Sequence, residues 1–141
     1  MDPDFQRCHV WTQDQQVAYV EWILRGGQSG KEIYFNCSGF TRGRAKSPMV
    51  LVDGKQRIQA VRRFLNSEIK VFGYLLKDME CKKILLRSMD LTFSFHINNL
   101  STKAEVLQWY LFMNSGGTDH TKEELVKVKE LLKEENKVVK L

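Results

Sequence analysis

Cysteine is scarce and scattered. The chain has three, Cys8, Cys37 and Cys81, with no Cys-x-x-Cys pair. An odd, dispersed set argues against a disulfide framework and against a zinc site, so reduced, partly buried thiols are expected. Only two prolines occur, and there is no linker-like, low-complexity or repeated segment. No apolar run approaches the ~20 residues of a membrane-spanning helix. The opening Met1-Asp-Pro-Asp has neither the basic region nor the apolar segment of a secretory leader. A cytoplasmic protein with no membrane partner is the expectation. His9, His96 and His120 have no metal-ligand spacing. No Ser/His/Asp arrangement, paired catalytic carboxylates or Cys/His-rich nuclease signature stands out either.

What is present is an ordinary globular balance: 141 residues, 43% hydrophobic and 28% charged. That length fits one domain, 1–141, around one core. The net charge is +5 and the isoelectric point about 9.2, which permits a polyanion or nucleotide partner without requiring one. The distribution says more. Between residues 41 and 63 the cations are Arg42, Arg44, Lys46, Lys55, Arg57, Arg62 and Arg63, and the only acid is Asp53. From Lys122 onward Lys and Glu alternate instead.

The patterning predicts mixed helices and strands, an α+β fold. Thr12-x-x-Gln15 is a capping box, and the helix 13–25 puts Val17, Val20, Ile23 and Leu24 on one face before Gly26-Gly27 ends it. Residues 32–36 read as a short strand and 37–47 as an exposed basic loop or hairpin tip. Residues 49–52 read as a strand buried on both faces, from continuous apolarity. The helix 54–66 turns Ile58, Val61, Phe64 and Leu65 inward. Residues 71–76 read as a strand and 77–89 as a helix. In 90–97, Leu91, Phe93, Phe95 and Ile97 alternate with polar residues, a half-buried strand. Thr102-x-x-Glu105 and Thr121-x-x-Glu124 cap two further helices, with Val106, Leu107, Tyr110 and Leu111, then Leu125, Val128, Leu131 and Leu132, as apolar stripes.

Asp53-Gly-Lys-Gln-Arg57 sits where strand passes into helix and has two readings. In one, Asp53 is an N-cap, Gly54 relieves the turn and the rest is solvated helix. In the other, first-turn N–H groups and Arg57 hold phosphate while Asp53 holds a metal ion or orients water. Gly26-Gly-Gln-Ser-Gly-Lys31 is not a P-loop: its spacing is one residue short, Glu32 stands where Ser or Thr is needed, and a helix precedes it. Gln6-Arg7 with Trp11 reads as a surface arginine beside a core tryptophan, or as part of a site. Asn114-Ser-Gly-Gly-Thr118 reads as a helix end, or as amides presented to an anion.

Together these pieces resemble a family. Pro3-x-Phe5-Gln6-Arg7 followed by Val10-Trp11, with a helix ending Ile23-Leu24-Arg25-Gly26, is similar to its opening block. Asp53-Gly-Lys-Gln-Arg57 is similar to its Asp-Gly-Gln-Gln-Arg motif, with Lys55 in place of the first Gln. Phe112-x-Asn114-x-Gly116-Gly117-Thr118 before Glu124-Leu125 is similar to its third block. The family is domain of unknown function 262, the ParB/sulfiredoxin-like domain of GmrSD-type modification-dependent restriction enzymes. The resemblance runs from Pro3 to about Leu132. It implies a small mixed sheet packed with helices that binds, and in larger relatives hydrolyses, an NTP. Carried over by position, Asp53, Gly54, Gln56 and Arg57 form the nucleotide site, with Gln6, Arg7 and Asn114 near it. Arg57 neutralises charge and Asp53 positions Mg²⁺ or water. Lys55 adds charge suited to phosphate and removes a Gln that could orient water. No effector domain such as a nuclease fits within the chain.

Three functions follow as expectations. The first is a stand-alone nucleotide-binding domain, with or without NTP hydrolysis, acting in phage–host conflict or its regulation. The second is a DNA-binding or nicking protein using Arg42, Arg44, Lys46, Arg62 and Arg63. The third is a non-catalytic inhibitor or scaffold mimicking a full-length relative. A protein partner or a homodimer fits any of them.

Overall fold

The computed structural model describes residues 11–43, 48–80, 92–114, 126 and 130–133. Its elements are α1 (Gln13–Leu24), β1 (Glu32–Asn36), β2 (Val50–Asp53), α2 (Lys55–Leu65), β3 (Ser94–Asn98) and α3 (Lys103–Asn114). Short 3-10 turns occupy Phe40–Arg42 and Leu76–Asp78. The fold is α+β, with a three-stranded sheet in the order β2-β1-β3. β1 and β2 form an antiparallel hairpin. Ser94 N–H donates to Lys31 O at 3.0 Å and Cys37 N–H to Asn98 O at 2.9 Å, so β3 runs parallel to β1 and the sheet is mixed.

Residues divide into two compact units, one of Val10–Ile33 with Gly54–Phe95, the other including Tyr34–Asp53 and His96–Leu141. In the first, α1 starts on the expected box: Thr12 Oγ1 accepts from Gln15 N–H, and Gln15 Oε1 accepts from Thr12 N–H. The apolar spacing of α1 and α2 then closes one core of Val20, Ala60, Val61, Phe64, Ile69, Val71 and Leu76, with Val17, Tyr19 and Leu24 packed around it.

In the second unit, Val52 packs with Val106, Leu107 and Tyr110 of α3. The Thr102–Glu105 box is present, and the N–H groups of Thr102 and Ser101 with the Thr102 hydroxyl hold the Glu105 carboxyl below its usual range. Asn36 is buried and satisfied on both sides: its Nδ2 donates to Leu100 O at 3.1 Å and its Oδ1 accepts from Leu100 N–H at 2.9 Å. Leu131 and Leu132 pack on the α3 cluster. Cys37 is buried. No helix of the described residues is long and apolar enough to cross a membrane.

Several expectations are corrected. The apolar run 49–52 is not buried throughout: Val52 is inaccessible and Val50 and Leu51 are half-buried, while Met49, just before β2, is exposed. Leu65, expected inward, ends α2 on the outside at 43% exposure. Residues 71–76 are not a strand. Val71 and Tyr74 bridge across a tight turn, with Phe72 at φ 52° and Gly73 at φ 82°. Met79 is extended, so no helix starts at Lys77; 81–89 lie outside the described residues. β3 begins at Ser94, and Phe95 is 60% exposed despite its alternation. The 121–124 capping box, Cys8 and Cys81 also lie outside the described residues.

Phe64 is wholly buried in the first core. Phe64→Ala is expected to cost about 3–5 kcal/mol, measured by urea unfolding of the two proteins.

Candidate functional site

The Asp53–Arg57 stretch is built by a strand, a bulge and a glycine. Tyr34 pairs with Asp53 while Phe35 pairs with Leu51, so Val52 is an extra residue in β2. Such a bulge redirects the side chains that follow it. Asp53 is half-buried as the last residue of the strand. It is not the helix N-cap, because Gly54 is, at φ 101° and ψ 7°. Two independent reasons require glycine there. The conformation is left-handed. A Cβ would also overlap Ile33 Cδ1 and lie 3.3 Å from Ile33 Cγ2 and 3.4 Å from Ile33 Cα.

α2 opens at Lys55, its first intrahelical bond running from Ile58 N–H to Gly54 O at 3.0 Å. The first turn carries Lys55, Gln56 and Arg57 and no acid. Helix dipole and side-chain charge therefore have the same sign there, which suits an anion. Gln56 Oε1 accepts from Trp11 N–H at 3.2 Å, so the segment following Gln6-Arg7 is tied to the motif. Arg57 Nη1 donates to Glu32 O, fastening the first turn to the start of β1.

Sequence reading missed the residues that brace this turn. Gln16 is buried: its Nε2 donates to Trp11 O at 3.2 Å and its Oε1 accepts from Arg63 Nη1 at 2.6 Å. A signal existed, since Gln16 lies on the same helical stripe as Val20 and Ile23, and an amide on an apolar stripe needs internal partners. Tyr19 OH donates to Gly30 O at 2.6 Å, and its ring meets Trp11 edge-on at 5.1 Å. Burial pushes the Tyr19 phenol up to about 12, against the opposing pull of Arg57 and with a smaller contribution from Glu32.

Of the cations assigned to DNA, Arg62 is exposed, whereas Arg63 holds Gln16 and pairs with Glu68 at 3.3 Å. Arg42 lies on the 3-10 turn, its side chain outside the description, and Arg44 and Lys46 lie outside the described residues. Gln6 and Arg7 are likewise outside. Asn114 is the last residue of α3, and its side chain is not described. In the second unit, Tyr34 stacks on His96 at 4.7 Å and meets Trp109 edge-on at 6.0 Å.

Among the described residues no three His, Cys, Asp or Glu side chains gather. A single carboxylate such as Asp53 is a donor that suits Mg²⁺, which is usually held by one or two carboxylates with phosphate oxygens and water. The chain matches no protein-family model, no curated protein and no solved structure.

Gly54→Ala is expected to destabilise the fold by about 2–4 kcal/mol, from the left-handed conformation and the clash together. Ile33→Val removes the Cδ1 methyl and should recover part of that loss, a coupling that a double-mutant cycle by urea unfolding reads directly. For Tyr19, the folded pKa lies above the unfolded one, so the fold binds the extra proton and stability falls as pH rises from 10 to about 12. Absorbance titration of the native protein should show a late-ionising tyrosine that Tyr19→Phe removes.

Proposed function

We propose that the chain is a nucleoside-triphosphate-binding domain whose phosphate site is the first turn of α2. The observation that carries this reading is Gly54. A left-handed glycine with no room for a side chain feeds a helix start that bears two cations and no acid. Lys55 supplies charge to the phosphates. Arg57 adds positive potential while its Nη1 fixes the turn on Glu32 O. Gln56 holds the Trp11 backbone. Asp53 would hold Mg²⁺ or orient water, and the ion would supply charge that neutralises phosphate.

The three-block resemblance to the domain of unknown function 262 family supports the same reading. So does the Trp11–Gln56 bond, which links its first block to its second. On that resemblance the protein acts in the cytoplasm, through a protein partner or a second copy, in phage–host conflict or its regulation. Replacement of the first motif Gln by Lys55 favours binding over turnover. Of the cations in the DNA reading, Arg62 is exposed, whereas Arg63 is engaged by Gln16 and Glu68.

Thermal unfolding with ATP, GTP, CTP or UTP and Mg²⁺ tests the proposal. At ~100-fold above Kd a ligand adds about 2.7 kcal/mol of stability, a shift of several degrees. Lys55→Glu should abolish that shift. Unchanged melting with every nucleotide would refute the reading.

A further inference from the structure

The surface at the C-terminal end of α1 serves neither the core nor the phosphate reading. α1 ends in a Schellman motif: Gly27 N–H donates to Trp22 O at 3.0 Å and Gly26 N–H to Ile23 O at 2.9 Å. In that motif the position held by Gly27 commonly carries an apolar side chain that covers the residue at Trp22's place. Gly27 does not have a left-handed φ, so its backbone does not call for glycine. The Trp22 ring does, since a Cβ would overlap the indole at Cε2, Nε1 and Cδ2. The indole therefore lies on bare main chain, and Trp22 stays 51% exposed. The residues flanking it on α1, Glu21 and Arg25, hold a second ring. Val71 and Tyr74 exchange backbone bonds of 2.9 and 3.1 Å around Phe72 at φ 52° and Gly73 at φ 82°. Both central residues are left-handed, as in a type I′ hairpin turn, where Asn-Gly is the favoured pair. A bulky phenylalanine is a poor choice there on backbone grounds. Glu21 accepts the Phe72 N–H at 2.8 Å, and the Arg25 guanidinium lies 5.0 Å from the ring centre. The fold thus holds Phe72 in an unfavourable conformation and leaves it 39% exposed, with Tyr74 at 63% in the same turn. Aromatic rings with an arginine are the composition enriched at the centres of protein interfaces.

The charges at these rings identify the occupant. Glu21 and Arg25 stand one turn apart, pair at 3.3 Å and cancel. A nucleic acid needs cations left over for its phosphates, and a strongly charged protein needs a net charge to meet. This surface offers neither. An acid and a base on either side of Trp22 are instead complementary to a copy of themselves. A two-fold axis crossing α1 at the height of Ile23 sets Glu21 of each copy opposite Arg25 of the other, with the two Trp22 rings flanking the axis. We infer that Trp22, with Glu21, Arg25 and Phe72, is where a second copy of the chain docks, α1 antiparallel to α1. As an exposed pair within one helix, Glu21 and Arg25 add little to the monomer, so re-pairing them across the axis costs little. The inference does not rest on the phosphate reading, whose residues it does not use.

Sedimentation equilibrium of the full chain, over a concentration series reaching the millimolar range, tests this. Wild type should move from 16.5 kDa toward twice that mass as concentration rises. Trp22→Ser should weaken association at least roughly tenfold, as loss of a central anchor does. Arg25→Glu and Glu21→Lys should each associate more weakly than wild type. An equal mixture of those two should recover most of the lost affinity, because acid then faces base across the axis. Trp22 and Arg25 are exposed, so Trp22→Ser and Arg25→Glu should melt close to wild type. Should Glu21→Lys unfold for want of an acceptor for Phe72 N–H, the other two variants decide alone. A wild-type monomer at every concentration overturns the inference. Undiminished association of Trp22→Ser also overturns it, as does a mixture no tighter than its components. A monomeric chain that binds a single-stranded oligonucleotide through Trp22 overturns it too, and assigns the rings to base stacking. Melting with NTPs is read separately, so the nucleotide reading and this one can fail independently.

Discussion

The contact between Gly54 and Ile33 is the constraint on which the motif depends. Because a Cβ at residue 54 would overlap Ile33 Cδ1, a glycine there lets the start of α2 pack directly on Ile33 at the start of β1. Arg57 then reaches Glu32 O, and Gln56 reaches Trp11 N–H. Trp11 in turn is held by Gln16, and Gln16 by Arg63. This chain of bonds joins the ends of α1 and α2 to the first residues of β1 and leaves few alternative positions for the helix start. A phosphate site needs such rigidity, since N–H groups bind an anion well only when already oriented.

Much of this architecture is legible in the sequence. Two capping boxes mark α1 and α3, and the 3.6-residue spacing identifies Val20, Ile23, Val61, Phe64, Val106, Leu107 and Tyr110 as core. The errors have physical causes. A continuous apolar run does not reveal how fully each face of a strand is covered, and only Val52 of Val50, Leu51 and Val52 is fully buried. Val71-Phe-Gly-Tyr-Leu-Leu76 has strand-like composition. Yet Glu21 accepts Phe72 N–H at 2.8 Å and Arg25 lies over its ring at 5.0 Å, and both hold a turn that local propensity would not choose.

Within the site, the sequence indicated the strand–turn–helix arrangement and the clustering of positive charge. It did not indicate which member of Asp53-Gly54 caps the helix, because Asp is the better N-cap by propensity and the deciding contact comes from Ile33, twenty-one positions earlier. Nor could it indicate the bulge at Val52, which depends on how β1 pairs. Arg63 looked like a solvated cation because its partners, Gln13, Gln16 and Glu68, include two on another helix.

Gln56 and Arg57 both address main-chain atoms, the Trp11 N–H and the Glu32 carbonyl. Any residue except proline supplies that N–H, and any residue supplies the carbonyl. Positions 11 and 32 can therefore drift in related chains without disturbing the motif. A search for correlated substitutions would find no pairing between them and residues 56 and 57, although they are in direct contact. Such a junction can keep its short motif while the rest of the sequence diverges beyond recognition.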